Sequence, residues 1–190
     1  QVIDPMDEAM AQILAVDGID IIFGHASFVD AHTITVNDDT YTADNFVLAM
    51  GQRPAKLPVT GTELTHDSKD FLDLPEMPKS MIMIGAGFIG MEFASIAQAA
   101  GSDVTIVEYA DRALANFDAD YTNRVVELMT AKGIKFAFNN AVEQISQDGD
   151  VFSVKTAQGN TFQADMVFDT TGRVPNTDDM NLASIGVETN

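Results

Sequence analysis

Cysteine is absent from the 190 residues. The chain therefore holds no disulfide, no thiolate metal site and no cysteine nucleophile. Histidine is scarce: His25, His32 and His66 share no metal-ligand spacing and read as surface or turn residues. Positive charge is also thin. Ten Lys and Arg stand against 29 Asp and Glu, a formal net charge of −19, which argues against nucleic acid or an anionic membrane as partner. Residues 1–50 contain no Lys or Arg at all, and Arg53 is the first basic side chain. Long apolar runs are missing too. The nearest candidate, residues 81–101, has Glu92 as its only charge, but Gly85, Gly87, Gly90, Ser95 and Gln98 dilute it. A charge at mid-span and so many small or polar residues argue against a membrane helix. Nothing at Gln1 and beyond has the basic-then-apolar order of a targeting segment, so a cytoplasmic location is expected.

Of the residues present, 46% are hydrophobic, enough to bury a core. In chain order, residues 3–16 read as a helix, started by Asp4-Pro5 and stopped by Asp17-Gly18, with Met10, Ile13 and Leu14 on one face. Strands are expected over residues 20–24, 27–30 and 33–36, with a turn at Asn37-Asp38-Asp39. Residues 45–50 read as a longer buried strand fed by this small β-meander. Four of the six prolines, Pro54, Pro58, Pro75 and Pro78, then mark an irregular stretch that holds a short helix over residues 68–74, capped by Asp67 or Ser68. A helix over residues 118–132 with Val125, Leu128 and Met129 as its apolar stripe ends at Gly133. A third parallel strand (134–138), a hairpin around Asp148-Gly149-Asp150, a strand over 161–164 and a buried strand over 165–171 complete the pattern.

The chain is organised around Met81-Ile82-Met83-Ile84-Gly85-Ala86-Gly87-Phe88-Ile89-Gly90. A short apolar strand runs into G-x-G-x-x-G, a helix follows as far as Gly101, and Val104-Thr105-Ile106-Val107 closes on Glu108. That order is the one a dinucleotide-binding βαβ unit requires. The second glycine lets backbone approach a pyrophosphate, and the helix N-terminus offers it free N–H groups and partial positive charge. Glu108 lies 23 residues after Gly85, where a carboxylate accepts hydrogen bonds from ribose hydroxyls and repels a 2′-phosphate, favouring NAD over NADP. Tyr109, Ala110, Asp111 and Arg112 follow it, with one Arg beside another acid. On a helical wheel Ile89, Phe93, Ile96, Ala97 and Ala100 share a sector, and Glu92 falls at its edge, flanking the buried face. By itself Glu92 reads as an ordinary first-turn acid favoured by the helix dipole. Gly90 supports the fingerprint less, since that position admits Gly or Ala.

Two further segments echo one another. Val47-Leu48-Ala49-Met50-Gly51-Gln52-Arg53-Pro54 and Asp169-Thr170-Thr171-Gly172-Arg173-Val174-Pro175-Asn176 each run from a strand into Gly and then Pro. Together with the glycine fingerprint and Glu92, they make the whole chain resemble the FAD-dependent pyridine nucleotide-disulfide oxidoreductases, which include glutathione reductase and dihydrolipoamide dehydrogenase. The first segment is similar to that family's A-T-G-x-x-P crossing from FAD domain to NAD domain, with Met50 in place of Thr. The second is similar to the return crossing, A-T-G-R-x-P-N.

The resemblance implies an α/β fold: a Rossmann-like NAD domain with a parallel sheet plus a β-meander, flanked by partial FAD-domain pieces. Residues 1–50 would belong to the FAD domain, 51–170 would bind NAD(H), and 171–190 would begin the return. It implies that Gly85, Gly87, Phe88, Ile89 and Gly90 hold the pyrophosphate, Glu108 the ribose, and that Gly172 borders the nicotinamide pocket. Glu92 would then face the nicotinamide. No catalytic residue and no metal ligand is expected in this segment, which should be inactive alone. NADH would pass hydride to FAD in a longer protein, homodimeric through a C-terminal domain, and on to a disulfide or similar acceptor. The rival readings are a fragment of an NADPH-dependent glutathione reductase and a non-catalytic dinucleotide-sensing module.

Overall fold

A computed structural model describes residues 6–189. The chain divides into two compact units, residues 1–51 with 175–190 and residues 52–174.

In the first unit, helix α1 (Met6–Val16) is followed by an antiparallel meander of β1 (Ala26–Asp30), β2 (Thr33–Val36) and β3 (Asp39–Thr42). Asn37 takes the left-handed conformation at the tight turn, with φ +56°, a region asparagine tolerates better than most residues. The Asp4-Pro5 start signal lies outside the described residues. A small core gathers Phe28, Met180 and Leu182, with Phe46 edge-on to Phe28 at 5.1 Å.

Two strands expected in this unit do not form. Residues 20–24 and 45–50 carry no strand, and Val47 is 91% exposed. The apolar residues are there, but a strand needs a neighbour to pair its N–H and C=O groups, and this sheet ends at three strands. Likewise Met10 and Ile13 of α1 lie exposed and Leu14 half-buried.

The second unit has three layers. Its short strand β4 (Gln52–Pro54) is followed by helix α2 (Ser68–Leu72), which Asp67 caps in a capping box with Asp70. Next come β5 (Ser80–Ile84), α3 (Phe88–Ala99), β6 (Asp103–Val107), α4 (Ala119–Ala131) and β7 (Lys135–Ala137). The hairpin strands β8 (Val142–Asp148) and β9 (Val151–Thr156) follow, then β10 (Thr161–Ala164), β11 (Met166–Asp169) and, at the boundary of the two units in sequence, β12 (Arg173–Pro175). Strands β11-β5-β6-β7 form one parallel sheet in that order, and β10-β9-β8 an antiparallel one.

The sequence of β5 explains the layering. Successive side chains of a strand point to opposite faces, and here both faces are apolar, as a parallel sheet covered on both sides requires. Met81 and Met83 join Phe93, Ala94, Ala97 and Met129 on the helical side. Ile82 and Ile84 join Ile145 and Val154 of the antiparallel sheet on the other. Strand β11 splits its residues the same way, Phe168 to the helices and Val167 to the hairpin.

Both helices are rotated from their expected faces. Helix α3 buries Gly90, Met91, Phe93, Ala94 and Ala97, while Ile96 is 51% exposed and Ala100 is exposed. The cause is Gly90: it must face the turn after β5, and this sets the rotation of every residue below it. Helix α4 buries Thr122 and Met129 and packs Val126 against the core, leaving Val125 and Leu128 outside. No helix among the described residues is long and apolar enough to cross a membrane.

Candidate functional site

The site lies at the carboxyl ends of β5, β6 and β11, where open α/β sheets bind ligands. Gly85 leaves β5 with φ +101°, a conformation closed to most L-residues, and its N–H donates to Val107 O at 2.8 Å. Gly87 then caps α3 with no side-chain hydrogen bond, and a Cβ there would meet nothing within 4 Å. The helix N-terminus thus stands open toward solvent, a cradle fit for an anion. Gly90 is the opposite case: a Cβ there would lie 2.3 Å from Gly85 O and 2.6 Å from Thr170 Oγ1. Thr170 ties this packing together, its hydroxyl donating to Ile84 O at 2.8 Å.

Glu108 follows β6 and is 8% exposed. Its Oε2 accepts from the Ala86 N–H of the glycine turn at 2.6 Å, and its Oε1 from the Ala110 N–H at 2.8 Å. Each oxygen keeps a lone pair for a ligand hydroxyl. A cleft of about 420 Å³ runs past Gly87, Phe88, Ile89, Glu108, Thr171 and Gly172. A narrower recess of about 160 Å³ shares Gly87, Glu108 and Thr171 with it and adds Asn140 and Val142. The structure therefore brings Gly85, Gly87, Phe88, Ile89, Glu108 and Gly172 to one place, with Gly90 as the packing contact behind them. Glu92 is different. It is exposed on α3 and lines neither cavity, because the rotation of α3 carries it away from the buried face it was expected to flank.

Sequence reasoning missed the wall opposite the turn. Residues 109–117 form it, and Arg112 holds it: the guanidinium donates to Phe117 O at 3.1 Å, to Ala115 O, and to Thr122 Oγ1 at 3.3 Å. Leu114 sits at φ +52° and donates its N–H to Ala86 O at 2.9 Å, so the wall leans directly on the glycine turn. Asp169 was also missed. It is 4% exposed, and the signal available was an acid closing the otherwise apolar strand β11.

The comparisons with known proteins agree with this architecture. The family model described as pyridine nucleotide-disulphide oxidoreductase matches residues 1–190. Glutathione reductase of Nostoc sp. is 37% identical over 173 residues, covering 90% of this chain and 38% of that protein. Dihydrolipoyl dehydrogenase of Geobacillus stearothermophilus is 35% identical over 178 residues, again covering 90% and 38%. Among solved structures, the HOCl-induced flavoprotein disulfide reductase RclA from Escherichia coli superimposes with a TM-score of 0.86 at 26% identity. That match covers 97% of this chain and 43% of RclA. The chain thus spans well under half the length of these relatives.

Proposed function

The chain belongs to the pyridine nucleotide-disulphide oxidoreductase family, and from that premise we propose that it is the NAD(H)-binding portion of a flavoprotein oxidoreductase. On this reading residues 51–170 hold the dinucleotide, while 1–50 and 171–190 belong to the flavin-binding part of a longer, homodimeric protein. Bound NADH supplies a hydride, which passes to FAD and then to a disulfide or similar acceptor; the residues here bind and orient the donor. Gly87 and the open N-terminus of α3 take the pyrophosphate. Gly85 and Gly90 let the turn sit close enough to the helix for this.

The observation that carries the reading is Glu108. Its carboxylate is held against the glycine turn by the Ala86 N–H, so a ribose seated on the turn meets a fixed acceptor. A 2′-phosphate in the same place meets a negative charge. Arg112, the cation nearest in sequence, is committed to its own loop and has few N–H groups left for a phosphate. Both features support NADH over NADPH.

Titration of the full chain with each dinucleotide, followed by nicotinamide fluorescence, tests this. NADH should bind at least tenfold more tightly than NADPH, and Glu108→Arg should weaken NADH by at least tenfold, the worth of one charge-assisted hydrogen bond. Tighter NADPH than NADH overturns the cofactor assignment, and a variant with unchanged NADH affinity removes the role given to Glu108.

A further inference from the structure

Asp169 ends β11 as a buried carboxylate, and its hydrogen-bond donors among the described residues are uncharged. Its Oδ2 accepts from the Leu57 N–H at 2.8 Å, and its Oδ1 from the Thr171 N–H at 3.1 Å. The Thr171 hydroxyl lies 2.6 Å from the same Oδ1. Backbone N–H groups can only donate, so both oxygens of Asp169 are already acceptors. A carboxylate has no proton to give, so the hydroxyl is the donor in the third contact. A hydroxyl has one proton and two lone pairs. With its proton committed to Asp169, Thr171 has only acceptor capacity left. Unlike Asp169, Thr171 is exposed, and it lines both the cleft and its recess. Thr170, one residue earlier, has its hydroxyl turned inward to Ile84 O, so Thr171 is the hydroxyl of the pair that the cleft can use.

We propose that Thr171 is an acceptor-only contact for an uncharged N–H or O–H donor of the bound dinucleotide, and that Asp169 is the residue that sets this polarity. The inference rests on the NAD(H) reading above. The dinucleotide offers three kinds of such donor: the carboxamide NH₂, the adenine NH₂ and the ribose hydroxyls. Phosphate oxygens, which are acceptors, find no proton here and face the negative charge of Asp169 behind the hydroxyl. Asp169 also joins the segment around Leu57 to the strand end that carries Thr171. It therefore sets the position of the hydroxyl as well as its direction.

The test is a double-mutant cycle in the full chain, reading affinity for NADH and for ADP-ribose, which lacks the nicotinamide. Thr171→Val should weaken NADH roughly tenfold, the loss expected for one hydrogen bond, and Thr171→Ser should restore it. Asp169→Asn should weaken NADH similarly in the parent but have little further effect in the Thr171→Val background, since it acts through that hydroxyl. If ADP-ribose weakens in parallel, the donor is a ribose hydroxyl or the adenine amine; if it does not, the donor is the carboxamide. Wild-type affinity in Thr171→Val, or additive losses in the cycle, overturns the proposal. Should Asp169→Asn fail to fold, the Val and Ser pair still decides it. A parent chain that binds no NADH at all defeats the dinucleotide reading instead, so the two failures are distinct.

Discussion

Three glycines of one fingerprint do three different jobs. Gly85 is needed for its dihedral angle, Gly87 for the open space above it, and Gly90 for the absence of a side chain against Gly85 O and Thr170. The fingerprint in general admits alanine at the third position, but this copy does not have room for it. Gly90→Ala would push a methyl group into a backbone carbonyl 2.3 Å away. Overpacking of this kind costs about 1–3 kcal/mol, so thermal denaturation should show a midpoint several degrees lower, with NADH affinity falling alongside. An unchanged midpoint would mean that the turn relaxes freely and that its packing is looser than the distances imply. The pattern of glycines was legible in the sequence because each changes what the backbone can do. Which glycine served which purpose was not, since that depends on Thr170, 80 positions further along the chain.

At the level of elements, the strands of the parallel sheet were the most legible part. Their residues are apolar on both faces, and a run such as Met81-Ile82-Met83-Ile84 has no other stable place than the middle of a layered domain. Helices α3 and α4 were placed correctly along the chain but not about their own axes. Periodicity finds an apolar stripe; it does not say which of two overlapping stripes touches the sheet, and a single tight contact such as Gly90 decides. The strand-like runs at 20–24 and 45–50 show the opposite error, since composition suits a strand there but no strand of the unit pairs with them among the described residues.

The loop 109–117 gives a prediction at this scale. Arg112 bridges Phe117 O, Ala115 O and the first turn of α4, and these contacts hold Leu114 in a left-handed conformation that is uncommon for a bulky residue. Arg112→Ala should release the loop, giving faster proteolytic cleavage within 109–117 and weaker NADH binding. Arg112→Lys should restore little of either, because one ammonium cannot span two carbonyls as the planar guanidinium does. Equal protease resistance in parent and Ala variant would show that Leu114 and its bond to Ala86 hold the wall without help.

For the whole molecule, charge is the dominant global property. All ten Lys and Arg fall within residues 52–174, so the unit built from 1–51 and 175–190 carries acids alone. Like charges repel one another, and salt screens them: the Debye length falls from about 30 Å at 0.01 M to about 3 Å at 1 M. Raising the ionic strength should therefore increase amide-exchange protection in β1–β3 more than in β5–β7. Protection that rises equally in both units, or falls, would show that repulsion is not what limits the stability of the acidic unit.

The sequence by itself determined the βαβ order, the glycine turn at a helix N-terminus, the acid after β6 and the family, because those follow from local periodicity, backbone freedom and spacing along the chain. Tertiary structure decided the rest. It set which faces of α3 and α4 are buried, the exposure of Glu92, the binding of Arg112 to its own loop, and the pairing of Asp169 with Leu57 and Thr171. Each of these depends on atoms from segments far apart in the chain meeting within hydrogen-bond or van der Waals distance, and such meetings exist only once the sheets and helices have packed.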